Sequence, residues 1–326
     1  MADRVSKFYA ESKSSSPLEV LFVHVDTDLS PPVATDDKSA GRGSPAERLI
    51  ARYAESFPNV KFEVVSLAKV LEVRTVDWAS LPLWQTGVGH GGGGGDGGDG
   101  EGDPSLRLRR MFDALPSVTS KADVLRQLVR HLLLHVAAEG GYKALLLGHT
   151  TAALAALTLS EVANGRGFAV PWQVNDGSVK VCTYRADGGG AESEREFAVW
   201  YPLREVYFSE VKAVVGFTPA LRELKLDDDA AGGSVVSHKD TSILEVMSRY
   251  FEGVEGAYSG IVANVVRTAG KLDRPTAQGQ LCGLCGSVLD EHGDVRWAGD
   301  LGDEVSSEQS LSQARICYGC KRSVNG

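Results

Sequence analysis

Short apolar runs with few charges alternate along this chain with longer stretches in which apolar residues recur every third or fourth position. The first run, Leu18 to Asp26 (LEVLFVHVD), is rich in β-forming residues and reads as a strand buried on both faces. Ser44 and Pro45 then stand where a helix takes an N-cap and a first residue that needs no N–H. With Leu49, Ile50 and Tyr53 on one face, they predict a helix from Pro45 to Phe57. Val60 to Leu67 is a second strand. Strand, helix and strand in this order build a parallel sheet.

The pattern then breaks at HGGGGGDGGDGEGDP, residues 90 to 104, part of a glycine-rich insert from about residue 87 to 104 that cannot pack a core and reads as a disordered, solvated loop. Regular structure is expected again from Ser120. Leu125, Leu128, Val129, Leu132 and Val136 recur at helical spacing until Gly140-Gly141. A strand from Lys143 to Leu147 ends at Gly148-His149, and a helix from Thr151 to Val162 follows. Strands from Val179 to Tyr184 and from Glu196 to Trp200 flank a turn at Gly188-Gly189-Gly190. A helix is expected to start at Tyr201 and run toward Val215. Asp227 to Gly233 is an acidic, glycine-rich break, and Ser242–Phe251 and Tyr258–Ala269 read as two final helices. From Leu281 the chain becomes short-patterned, turn-rich and cysteine-paired. The boundary near Gln278 to Gln280 divides an α/β domain, 1–277, from a four-cysteine module, 278–326.

Composition narrows the partners. The 326 residues are 43% hydrophobic and 24% charged, ordinary for a folded protein, with a net charge of −9. Since Lys and Arg supply most non-specific affinity for phosphate backbones, an acidic chain that meets RNA needs a local basic face or a partner. The opening MADRVSKFYAES has no apolar signal region, and no apolar run approaches the ~18 residues of a membrane span. A cytosolic protein with no membrane contact is expected.

Cys282-Gly-Leu-Cys285 and Cys317-Tyr-Gly-Cys320 are two C-x-x-C turns separated by residues 286 to 316. Such turns place four thiolates around one zinc, and four ligands leave no open position, so the site reads as structural. An iron–sulfur cluster or a redox dithiol is the alternative. Cys182, on a strand, reads as a buried hydrophobe-like residue, and His24 as a hydrogen-bonded core residue. His131 and His135, four apart, read as a solvated helix face. The strand end at Gly148-His149 is where α/β proteins hold anions on a helix N-terminus, yet the first turn, Ala152-Ala153-Leu154, brings no acid, base or thiol. Arg166, between two glycines, suits phosphate or carboxylate recognition, or else pairs with a neighbouring acid. Arg204, at the expected helix start, opposes the dipole unless it meets an anion.

Taken in order, LFVHVD, LLLGHTTAALAALTLSEVANGRGFAVP, YPLREVYFSEV, TSILEVMSRYFEG, VRTAGKLDRP, LCGLC and ICYGC resemble the cytoplasmic tRNA 2-thiolation protein 2 family over most of residues 18 to 326. The resemblance implies a PP-loop (HUP-like) α/β fold, a parallel sheet with helices on both faces, followed by a zinc-ribbon-like module on Cys282, Cys285, Cys317 and Cys320. It implies a subunit of the complex that makes 2-thiouridine at the wobble position, on the way to mcm5s2U in tRNAs for Lys, Glu and Gln. The catalytic PP-loop partner would transfer sulfur from a thiocarboxylated ubiquitin-like carrier. Gly148, His149, Arg166 and Arg204 become candidate nucleotide or tRNA contacts. There are departures. Thr151, Ala152 and Ala153 stand where active relatives would carry acids. The group's serine-glycine-glycine phosphate loop and its first strand have no counterpart before Leu18, and Ser14-Ser15-Ser16 precedes a strand rather than following one. Residues 1–17 resemble the helix that should follow that loop, and the family's N-terminal cysteines are absent. These departures imply a non-catalytic subunit that does not itself bind ATP. Two competing readings are an autonomous ATP-dependent enzyme built on Gly148-His149, Arg166 and Arg204, and a zinc-ribbon adaptor unrelated to tRNA.

Overall fold

The computed structural model describes residues 1–11, 19–30, 43–81, 103–185, 190–224, 241–274, 280–289 and 316–325. Most of the glycine-rich insert, Ser14-Ser15-Ser16, the break at 227–233 and the acidic stretch at 300–313 lie outside them.

The first unit forms as its patterning requires. Helix α1 (Ala2–Glu11) precedes strand β1 (Leu21–Asp26), helix α2 (Pro45–Ser56) and strand β2 (Lys61–Ser66), and β1 pairs parallel with β2 from Leu21↔Lys61 to Asp26↔Ser66. Ser44 opens α2 with a reciprocal cap: its hydroxyl accepts from Glu47 N–H at 3.1 Å, and Glu47 Oε2 accepts from Ser44 N–H at 2.7 Å. The expectation that the first strand is buried on both faces needs correction. Every residue of β1 is half-buried, because β2 is its sole strand neighbour among the described residues.

Helix α3 (Pro104–Asp113) lies where no element was expected before Ser120. The signal was present: Asp103 caps Ser105 N–H at 3.0 Å, Pro104 takes the first helical position, and Leu108 and Met111 are buried one turn apart. Helix α4 (Val118–Glu139) follows, capped by Ser117. At about 1.5 Å per residue it is ~33 Å long, and its two ends serve different cores. Val124, Leu128 and Leu132 join Leu67, Val70, Leu108 and the four cysteines, whereas Leu134 and Ala137 join the cluster below.

That second cluster lies between a small sheet and two helices. Strand β3 (Ala144–Leu146) pairs parallel with β5 (Ala191–Trp200), which pairs antiparallel with β4 (Gly177–Tyr184). Helix α5 (Thr151–Ala163) packs along the long helix α9 (Ile243–Gly270), and the short α6 (Val170–Val174) bridges them. The architecture is mixed α/β. The single parallel sheet expected from the sequence is divided among the described residues into a two-stranded parallel sheet and a three-stranded mixed one.

One helix start also differs. The segment from Tyr201 is a turn, and helix α7 begins at Phe208 (Phe208–Phe217), followed by α8 (Pro219–Leu224). Its start is fixed from elsewhere in the chain: buried Glu255 on α9 accepts from Phe208 N–H at 3.0 Å and Ser209 N–H at 2.9 Å. The two final helices form as expected, as the two arms of α9, with the helical run broken at Tyr258 (φ −137°, ψ 50°) in a stretch containing Gly253, Gly256 and Gly260. Helix α10 (Tyr318–Asn325) packs against α4.

Candidate functional site

The two cysteine turns come together. Gly286, in the left-handed region at φ +67°, lets the first turn close, with Gly286 N–H on Cys282 C=O at 2.9 Å and Cys282 N–H on Ser287 C=O at 2.7 Å. Its other backbone groups are held by neighbouring elements. Asp77 N–H donates to Gly283 C=O at 2.8 Å. His131 sits buried between Leu284 C=O, 2.8 Å from Nε2, and the Thr75 hydroxyl, 2.9 Å from Nδ1. Since a carbonyl only accepts, Nε2 carries the proton and Nδ1 accepts from Thr75. Burial pushes the His131 pKa down to about 4, so the ring is neutral. The solvated histidine face expected at 131 and 135 is therefore corrected: His135 is half-buried and His131 belongs to the support of the knuckle.

The second turn leads into α10. Its cysteines, with the first pair, form a buried cluster whose four sulfurs all lie within 4.8 Å of one another. Four thiolates at ~2.3 Å from one tetrahedral ion are ~3.8 Å apart, and the Cys285 and Cys317 sulfurs are separated by 3.8 Å. Cys317 N–H points at Cys282 Sγ from 3.3 Å, a bond suited to a thiolate. In a dry interior, four adjacent sulfurs do not ionise together without a cation among them. The donor set fits one tetrahedral metal ion.

Arg166 does not reach outward. Its side chain is 0% exposed, Nε donates to Glu161 Oε2 at 2.9 Å, and Nη2 contacts Glu161 Oε1 at 3.1 Å and Asp123 Oδ1. Of the two readings its sequence leaves open, pairing with an acid is the one this geometry shows. Burial raises the Asp123 pKa, but Arg166 and Arg126 outweigh that effect and hold the carboxyl below its ordinary value. Arg204 lies in the turn before α7 rather than at a helix start, with Nη1 on Asp176 at 3.1 Å and Nη2 on Asn175 at 3.4 Å. Both candidate guanidiniums are thus engaged by the chain's own side chains.

The strand end at Gly148 keeps its backbone shape. Thr150 caps α5, its hydroxyl accepting from Ala153 N–H at 3.4 Å, and the Thr151 hydroxyl donates to Arg204 C=O at 2.9 Å. His149 turns its ring edge to Tyr201, with centroids 5.6 Å apart. Burial, with Arg130 and Arg126 nearby, lowers its pKa to about 4, and its Nδ1 has no partner among the described residues. Cys182 is buried with Tyr184 and Leu281 beside a cavity of about 40 Å³, far below the roughly 300 Å³ a small-molecule site needs. His24 is half-buried on β1.

The model of a family described as cytoplasmic tRNA 2-thiolation protein 2 matches residues 242–302. The cytoplasmic tRNA 2-thiolation protein 2 of Phaeosphaeria nodorum is 36% identical over 224 residues, covering 67% of this chain and 55% of the relative. That of Pyrenophora tritici-repentis is 36% identical over 230 residues, covering 68% and 56%. That of Sclerotinia sclerotiorum is 32% identical over 268 residues, covering 82% and 63%. The chain thus spans a little over half the length of the curated relatives it matches. No solved structure matches it.

Proposed function

Because the chain belongs to the cytoplasmic tRNA 2-thiolation protein 2 family, we propose that it acts in the cytoplasm as a non-catalytic subunit of the complex that places sulfur on the wobble uridine of tRNA. The observation that carries this reading is the strand end at Gly148-His149. It offers a helix N-terminus and a half-buried neutral histidine, and Arg166 and Arg204 are spent on the chain's own acids. Thiolation requires the uridine oxygen to be activated, by adenylation with loss of pyrophosphate, and then displaced by a sulfur nucleophile as AMP leaves. Positioned cations, metal-holding acids and a transferable sulfur are what such steps use. A PP-loop partner supplies them in this reading, with the sulfur delivered by a thiocarboxylated ubiquitin-like carrier. This chain contributes docking surface and a share of the tRNA contact.

The four cysteines hold one structural zinc, whose role is to bind the second turn to the first. A test of the whole reading measures pyrophosphate release and 2-thiouridine formation with the chain alone, the partner alone and both together. Product from the pair and from neither chain singly supports it. Pyrophosphate from this chain alone, with ATP and tRNA, overturns it in favour of an autonomous enzyme.

A further inference from the structure

The GRG loop after α5 and the second cysteine turn interlock. Gly165 has φ +79°, and a Cβ there would lie 2.6 Å from the Tyr318 ring. In return, a Cβ on Gly319 would lie 2.4 Å from Arg166 Cγ and 2.6 Å from Asn164 O. The two glycines allow the Tyr318 ring to lie on one turn and the Arg166 stem and Asn164 carbonyl on the other. Through this contact Arg166 Nη1 comes to 3.8 Å from Cys320 Sγ, within reach of a sulfur hydrogen bond. The other edge of the guanidinium is held by Glu161, which also pairs with Arg126, and by Asp123. Asp123 accepts in turn from Ser323 on α10 at 2.6 Å. The fork is thus fixed on three sides and aimed at one sulfur.

Four thiolates around a divalent ion carry two net negative charges in a buried site. Two carboxylates and two guanidiniums, Asp123 and Glu161 with Arg166 and Arg126, cancel among themselves, so Arg166 shifts positive potential toward the sulfur without leaving a charge unpaired. We propose that Arg166 is a positioning residue of the metal centre, which fixes the Cys320 thiolate and holds the metal through it. This rests on the reading that the four cysteines bind a metal ion. Lysine would not substitute: its single ammonium cannot reproduce the planar fork that meets Glu161 and the sulfur on opposite edges. Second-shell partners of this kind are typically worth about 10- to 100-fold in metal affinity.

The test uses the full chain loaded with cadmium-113 or cobalt(II). In the wild-type cadmium protein, labelled at arginine nitrogen, a scalar coupling from one guanidinium N–H to cadmium is expected, beside the coupling from the Cys317 amide. In the cobalt protein, Arg166→Gln and Arg166→Lys should move the sulfur-to-cobalt charge-transfer band to lower energy, because the sulfur loses a hydrogen bond. Both should weaken retention against a chelator by about 10- to 100-fold. Ser323→Ala removes a bond to Asp123 in the same cluster and touches no sulfur, so its band should stay in place. Absence of the arginine coupling in the wild type overturns the proposal even if no Arg166 variant folds. Variants that are less stable but keep the wild-type band and retention also overturn it. Failure of the wild-type chain to bind zinc, cobalt or cadmium would instead defeat the metal reading on which it rests.

Discussion

Gln127 lies on α4 with its side chain fully buried and with neither amide atom partnered among the described residues. A buried polar group without a hydrogen bond costs roughly 1–3 kcal/mol. Gln127→Met, which keeps the volume and removes the amide, should raise stability by about 1–2 kcal/mol in urea unfolding; an unchanged or lower midpoint would show that the amide is satisfied. Buried His131 and half-buried His149 make a different prediction. His131 and His149 have folded pKa values of about 4, below the ordinary value of about 6.5, so the unfolded chain takes up protons first as pH falls. Their contribution is complete above about pH 6.5 and is lost progressively down to about pH 4, on the order of 3 kcal/mol for each. Denaturation midpoints measured from pH 7 to 4 should fall, and His131→Asn should flatten the slope. His131 was legible: it stands three residues after Leu128 and beside Leu132, on the apolar stripe. The pairing of Arg166 with Asp123 was not, because the partners are 43 positions apart and nothing local encodes the contact.

Helices declare themselves in the sequence where their caps are local. Ser44 with Glu47 and Ser242 with Glu245 mark the starts of α2 and α9 by adjacent residues. The start of α7 is different, since Glu255, 46 and 47 residues later in the chain, receives its first N–H groups and the Ser209 hydroxyl. A carboxylate at a helix N-terminus also complements the dipole. Glu255→Ala should cost about 1–3 kcal/mol and should speed amide exchange at Phe208 and Ser209 ahead of the rest of the molecule. Exchange unchanged there would mean that Glu210, which accepts from Tyr207 N–H at 2.8 Å, suffices as the cap. The break of α9 at Tyr258, by contrast, is where the sequence pattern starts a second helix. The glycines of the 253–260 stretch weaken the helical signal, yet both flanks, Phe251 and Val262, enter the same core and hold the axis together across the kink.

At the scale of the molecule, the βαβ unit, the long helix and the cysteine pairs were all readable from patterning, whereas the division into two sheets was not. Strand pairing depends on which edges find neighbours, and β1 and β3 each have one paired edge among the described residues. The cysteines also sit more centrally than their late position suggests, since Cys282, Cys285, Cys317 and Cys320 share a core with Leu67, Leu108, Leu128 and Val65. Removing the metal with a chelator should therefore lower the unfolding temperature of that whole core and raise protease sensitivity along α4, rather than fray α10 alone. Loss of protection confined to residues 316–325 would contradict this. Helix α10 has one more consequence. The ribosome delivers it after every element it touches, so the nascent protein holds α4, the loop carrying Arg166 and the first cysteine pair before the second pair exists. Metal capture then waits on the second pair, and a polypeptide halted short of Cys317 would present an open hydrophobic seam to the cell's degradation machinery.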